Sequence, residues 1–126
     1  EFIEAASHFN LAEAAELAGN TTRAVEEYRL AAATSLRLNG FVSAADAFVQ
    51  AAGLLTTSGA HADAVDCAAD AVLAARRARS DELLRTALLV QADAAEAAGD
   101  HHGAQRSRNE AAAVATRLKV PASRAI

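Results

Sequence analysis

Tryptophan and methionine are absent from the 126 residues, proline and cysteine occur once each, and aromatic residues make up only 4%. The apolar surface must therefore consist mostly of small side chains on good helix formers, which argues for close-packed helices and against a sheet protein. With a single cysteine, Cys67, no internal disulfide can form, and a reducing, cytoplasmic setting is expected. Charged residues interrupt every apolar stretch well short of the roughly 18 to 20 residues a membrane helix needs, so no membrane span is expected. Lysine occurs once, at Lys119, and the formal net charge is −4, which speaks against wholesale coating of nucleic acid. Glycine-rich phosphate loops, a nucleophile elbow and a convergent acid/base set are also missing. The chain is expected to be no enzyme and to need no cofactor.

What remains is alanine, at 37 positions, within a composition that is 52% hydrophobic. Alanine is the best helix former and its single methyl lets helices approach closely, so the composition predicts an all-α protein. Self-similarity gives the organisation. Gly19, Gly59 and Gly99 are spaced by 40 residues and each ends an apolar run; Ala12/Ala52/Ala92, Ala24/Ala64/Ala104, Ala31/Ala71/Ala111 and Arg37/Arg77/Arg117 repeat at the same offset. In a chain so rich in alanine some alanine triplets arise by chance, so the glycine and arginine triplets carry most of the weight. One domain over residues 1–120 follows, in three units (1–40, 41–80, 81–120), with Pro121 opening a tail over 121–126 that should not continue a helix.

Each repeating glycine divides two helical patterns, because it supplies the positive φ that ends a helix and reverses the chain. The first helices are expected over 2–18, 42–58 and 82–98, and the second over 22–38, 62–78 and 101–118. Asn20, Ser80 and Asp100 are placed to cap helix N-termini, and Asn39-Gly40 to stop one. At about 17 residues these helices are about 26 Å long, a length suited to side-by-side stacking.

This pattern resembles the tetratricopeptide-repeat-like helical solenoids over residues 1–120. The resemblance is carried by Leu11, Ala12, Ala15, Gly19, Ala24, Tyr28 and Ala31 in the first unit. Ala51, Ala52, Leu55, Gly59, Ala64, Ala68 and Ala71 carry it in the second, and Gln91, Ala92, Ala95, Gly99, Ala104, Arg108 and Ala111 in the third. The family's unit is usually about 34 residues. The longer unit here is similar to SNAP-like variants; His8, Phe48 and Leu88 stand where the family has an aromatic, and its closing proline is absent. The resemblance implies a right-handed α-solenoid of three antiparallel hairpins acting as a protein-interaction scaffold.

It also implies a concave groove lined by the first helices. By register that groove presents Phe9, Asn10, Glu13, Glu16 and Leu17, then Asp46, Val49, Gln50, Gly53 and Thr56, then Thr86, Leu89, Val90, Asp93 and Glu96. Five of these are carboxylates and none is Lys or Arg, so a clamp for an acidic peptide tail is disfavoured. A basic or amphipathic partner segment is expected instead, with Phe9, Val49 and Leu89 as apolar anchors. The plain alternative is that these carboxylates only solvate an exposed face.

Two other surfaces are candidates. Arg37, Arg77 and Arg117, with Arg76, Arg79 and Lys119, fall at the ends of second helices, where a cation meets the negative end of the helix dipole, worth about 0.3 to 1 kcal/mol each. Aligned along one edge, Arg37, Arg76, Arg77 and Arg117 could also hold an anionic lipid or nucleic acid, though no aromatic stands near to stack a base. At the amino-terminal end Phe2, Ile3 and Phe9 leave the first helix apolar, marking either a contact with an upstream repeat or a face for self-association or intramolecular docking. At the other end Arg108, with Gln105, Arg106 and Asn109, has the polarity of a terminal capping helix. The chain lacks an initiator methionine, so a piece of a longer solenoid is expected. His61, His101 and His102 occupy turns and Glu4 shares a helix face with His8, but the ligand number and spacing of a zinc or di-iron site are not met, and no metal is expected. Cys67 is expected to be a small buried apolar residue.

Overall fold

Five residues in the left-handed region set the architecture: Gly19 (φ 78°), Asn39 (57°), Gly59 (86°), Arg79 (54°) and Gly99 (88°), one every twenty residues. At four of these turns the chain closes back on the helix it has left. The Asn20 N–H donates to Ala15 O at 2.8 Å, Gly40 to Ser35 at 2.8 Å, Ala60 to Leu55 at 3.0 Å and Asp100 to Ala95 at 2.8 Å, the bond that defines a Schellman ending. The next helix then starts almost at once. The side-chain oxygens of Asn20, Ser80 and Asp100 accept from the backbone N–H groups of Arg23, Leu83 and Gly103 at 3.2, 3.2 and 2.9 Å, the capping role that the sequence assigns to them.

The computed structural model describes the backbone of residues 2–125 and the side chains of residues 3–118. Six helices follow one another: α1 (Phe2–Leu17), α2 (Thr21–Arg37), α3 (Phe41–Thr57), α4 (His61–Ala78), α5 (Asp81–Ala97) and α6 (His101–Ala125). No strand occurs among the described residues, so the fold is all-α. Five helices start and end within one residue of the expected bounds. The sixth does not: α6 runs past Pro121 to Ala125, where the sequence predicts a non-helical tail. A proline in a helix forfeits one hydrogen bond and crowds the preceding turn, a local penalty that leaves the φ of the helix intact.

Each helix packs against the next in the chain, and α3 also packs on α5. The alanine triplets explain how. Ala12, Ala52 and Ala92, Ala24, Ala64 and Ala104, and Ala31, Ala71 and Ala111 are all at most 2% exposed. Side chains one methyl deep at these positions let neighbouring helices meet closely, and the larger residues fill what is left. One cluster joins Val25 and Tyr28 of α2 to Leu55 of α3 and Cys67 of α4; another joins Val72 of α4 to Leu84 and Leu88 of α5 and Val114 of α6. Contacts between consecutive helices and burial at a forty-residue offset are what a helical repeat requires.

The turns yield a paired test. A Cβ at Gly59 would meet no atom within 4 Å, so only its φ of 86° opposes a side chain, whereas Gly53 lies inside α3 with equally open space. Gly59→Ala should lower stability by about 1 kcal/mol, while Gly53→Ala should raise it by about 0.5 to 1 kcal/mol, both read as shifts in the urea midpoint.

Candidate functional site

Between α1 and α3 lie two adjoining clefts that share Phe9 and Asp46. One, of about 440 Å³, is lined by Phe9, Glu13, Glu16, Leu17, Tyr28, Asp46 and Gln50; the other, of about 350 Å³, by Ala5, Ala6, Phe9, Asn10, Ala31, Ser35, Gly40, Ser43 and Asp46. α1 makes no contact with α3 comparable to that of α3 with α5. Glu13, Glu16 and Asp46 face this space without a cation among them, and like charges at short range resist closure.

Tyr28 forms the floor. It is 2% exposed, its ring meets Phe9 edge-on at 5.2 Å between centroids, and its hydroxyl donates to Glu16 Oε1 at 2.8 Å. Burial raises the phenol's pKa most, followed by the hydrogen bond to Glu16 and the charges of Glu16, Glu13 and Asp46. Glu16 thus bonds the hydroxyl directly, and Glu13 and Asp46 line the same cleft around it. Sequence reasoning counted Tyr28 only as a packing residue; its spacing of twelve from Glu16 across a hairpin turn is the signal that joins them.

The other expected groove residues are dispersed. Val49 and Val90 are half-buried against the apolar clusters, Leu89 is 40% exposed, and Asp93 is exposed on α5 outside the two clefts. Glu96 is engaged by Arg108 at 3.1 Å and by His101, and these hydrogen bonds, His101's first, hold its carboxyl below the usual range. Glu96 and Arg108 occupy the third-unit positions of Glu16 and Tyr28, so one inter-helix contact is made by different chemistry in the two units. Of the five carboxylates only Glu13, Asp46 and Asp93 form neither a hydrogen bond nor an ion pair among the described residues.

The arginine edge has internal partners throughout. Arg117 reaches Asp81 at 3.1 Å, which raises its already high pKa, Arg77 lies 5.6 Å above the Phe41 ring, and Arg37 approaches Glu4 at 3.9 Å. In each case the end of a second helix is tied to the start of the first helix of its own hairpin. Arg76 spans to Glu110 of α6 at 2.6 Å. Of the amino-terminal apolar trio, Ile3 is 82% exposed and Phe9 is turned in against Tyr28, while the side chain of Phe2 lies outside the described residues, as does that of Lys119.

His8 was expected at an aromatic position. It makes a buried polar contact instead: its Nδ1 donates to Glu27 Oε2 at 2.7 Å, and Arg23 Nε donates to the other oxygen at 3.3 Å. Glu27 is in register with Cys67 and Ser107, both buried, which is the sequence signal that Glu27 points inward. His61, His101 and His102 are exposed, and among the described residues no three His, Cys, Asp or Glu side chains are grouped to hold a metal. Cys67 is buried as a free thiol, and burial raises its pKa. No helix is long and apolar enough to cross a membrane among the described residues.

The hydrogen bond from His8, ahead of the charges of His8 and Arg23, lowers the Glu27 pKa. A lowered native carboxyl stabilises the fold fully above the ordinary glutamate range and loses that contribution as pH falls through the native value. Glu27→Gln should cost about 1 to 2 kcal/mol at pH 7 and progressively less as the pH is lowered below the ordinary glutamate range, measured by urea unfolding across that series. Comparison of the chain with protein-family models, with curated proteins and with solved structures finds no match.

Proposed function

We propose that the chain is a right-handed α-solenoid of tetratricopeptide-like hairpins that serves as a protein-interaction scaffold and binds a basic, amphipathic segment of a partner along the α1–α3 cleft. The observation that carries this reading is that Glu13, Glu16 and Asp46 line one cleft with Tyr28 and with the apolar surfaces of Phe9 and Leu17. Charge brings a cationic segment in, and the apolar wall gives it something to bury. Glu13 and Asp46, neither engaged in an ion pair, would meet the partner's cations, while Tyr28 and Glu16 keep the floor in shape. The expected extent of the site shrinks accordingly. Leu89, Val90, Asp93 and Glu96 of α5 do not line it, and the weight falls on the first two units.

In this reading the chain is a scaffold and performs no reaction. A lone buried thiol, Cys67, suits a reducing cytoplasmic setting. An anionic ligand on the arginine edge is the weaker reading, because Arg37, Arg76, Arg77 and Arg117 already have partners in the fold and would have to give them up.

A fluorescent amphipathic peptide with Lys on its polar face and Leu on the other, compared with its Glu-for-Lys counterpart, tests the cleft by anisotropy. The basic peptide should bind and the acidic one should not, and Glu13→Lys/Asp46→Lys should weaken binding at least about tenfold. Asp63→Lys/Asp66→Lys, which changes net charge equally on exposed positions of α4, should leave it nearly unaltered. Equal loss in both variants would reduce the effect to net charge and end the cleft proposal.

A further inference from the structure

The repeat builds the space between successive second helices twice, and the two versions differ in chemistry. Arg76 of α4 reaches across to Glu110 of α6 and donates to its carboxylate at 2.6 Å. Forty residues earlier the same two positions, on α2 and α4, are Leu36 and Asp70. The ion pair that ties α4 to α6 therefore has no counterpart between α2 and α4, and Asp70 forms no ion pair among the described residues. The floor differs in the same sense. Leu88 and Val114 are fully buried, whereas their equivalents are Phe48, only half-buried, and Ala74, one methyl deep. What results is a groove of about 410 Å³ lined by Leu36, Phe41, Phe48, Asp70, Leu73 and Arg77, among other residues. Leu36 and Leu73 are exposed in it, and it shares no residue with the two clefts beside α1.

The fold itself states what this groove lacks: a cation opposite Asp70, in the place that Arg76 takes opposite Glu110, and an apolar group over Phe48 and Leu73. The chain's own cations are placed otherwise. Arg77 lies 5.6 Å above the Phe41 ring and closes the far end. Burial raises the Cys67 thiol's pKa and the charge of Arg29 opposes that rise, which puts Arg29 beside Cys67, and no ion pair joins it to Asp70. Asp70, Leu73, Ala74 and Arg77 follow one another at helical spacing on one face of α4. Along the axis Asp70 is about 5 Å, one turn, from the apolar part of the groove and about 10 Å from Arg77. A ligand must therefore carry its cation one turn from its apolar group, and a second cation two turns away would meet Arg77.

We infer that the groove between α2 and α4 is a second docking site, which takes a helix of a partner protein that presents one Arg to Asp70 and, a turn away, a large apolar side chain to Phe48 and Leu73. A helix is the occupant that the spacing selects, since its side chains three or four residues apart share a face at the same interval as Asp70 and Leu73. Arginine is the residue that the fold already uses at this position against a carboxylate. The apolar side chain supplies most of the affinity, and the exposed ion pair sets register and rejects an acidic segment. This site is separate from the cleft between α1 and α3, where several carboxylates suit a segment with more than one cation.

Titration of the isotope-labelled chain with a helical peptide of Ala and Gln that carries one Phe and, four residues on, one Arg tests this by amide chemical shifts. Shifts should appear around Leu36, Phe48 and Leu73 and saturate below about 1 mM. A peptide with Ala for the Phe, or Glu for the Arg, should bind at least about fivefold more weakly. On the protein, Asp70→Asn should weaken binding about fivefold while Asp70→Glu keeps it. Leu36→Arg, which rebuilds across this groove the pair that Arg76 and Glu110 make across the next, should abolish it. Leu36 and Asp70 are exposed, and circular dichroism checks that the variants stay helical. Glu13→Lys/Asp46→Lys should leave this binding unaltered, so the two sites succeed or fail separately. Three outcomes would overturn the proposal: no saturable shift up to about 1 mM, shifts confined to the surroundings of Phe9 and Asp46, or a Leu36→Arg chain that binds as tightly as the wild type.

Discussion

Close approach of helices at alanine is the constraint from which the rest of this structure follows. A buried methyl contributes little by itself, and burial of apolar surface is worth only about 25 cal/mol per Å². A core with 4% aromatic residues must therefore gain its stability from many short contacts made along whole helices. That requires helices of equal length, laid side by side and returned at regular intervals. The left-handed residue every twenty positions and the caps that start the next helix meet this requirement. Larger side chains then have few places to go, and those few decide what differs between units.

The positions that differ are informative because the frame around them is constant. Where the first unit has Tyr28 bonded to Glu16, the third has Arg108 bonded to Glu96, and the second has Ala68 with Thr56 turned back onto the Ala52 carbonyl. Where the second and third units bury Cys67 and Ser107, the first buries Glu27 and satisfies it with His8 and Arg23. A buried carboxylate is tolerable only with such partners. α1 is thus held to α2 by a buried carboxylate with two partners, where α5 is held to α6 by Ser107 donating to Gln91 at 3.0 Å, and α1 is also the first helix that stands away from its neighbour α3.

Much of the frame was legible in the sequence, for a physical reason: helix ends, capping residues and small packing positions depend on local geometry and on a repeat that the chain spells three times. Gly59 and Ala64 could be assigned without any knowledge of distant residues. The site was less legible. Whether α1 closes on α3 depends on how Phe9, Glu13 and Asp46 meet across two helices, and register places residues on a face without saying how far apart the faces stand. The arginines show the same limit. Arg117 and Arg77 were readable as helix-end cations, but their engagement of Asp81 and Phe41, thirty-six residues earlier, requires the hairpin to be folded. Pro121 shows that a proline's penalty stays local: α6 continues through it to Ala125.

The turns recur every twenty residues while the packing faces recur every forty, and the mismatch governs how such a chain can change its length. Loss or gain of a single helix with its turn would leave every backbone ending intact, yet it would reverse the direction of all that follows and set second-helix surfaces where first-helix surfaces belong. Growth of the array is therefore quantised in hairpins: a duplication of forty residues is neutral to both periods, and one of twenty is compatible with the backbone alone.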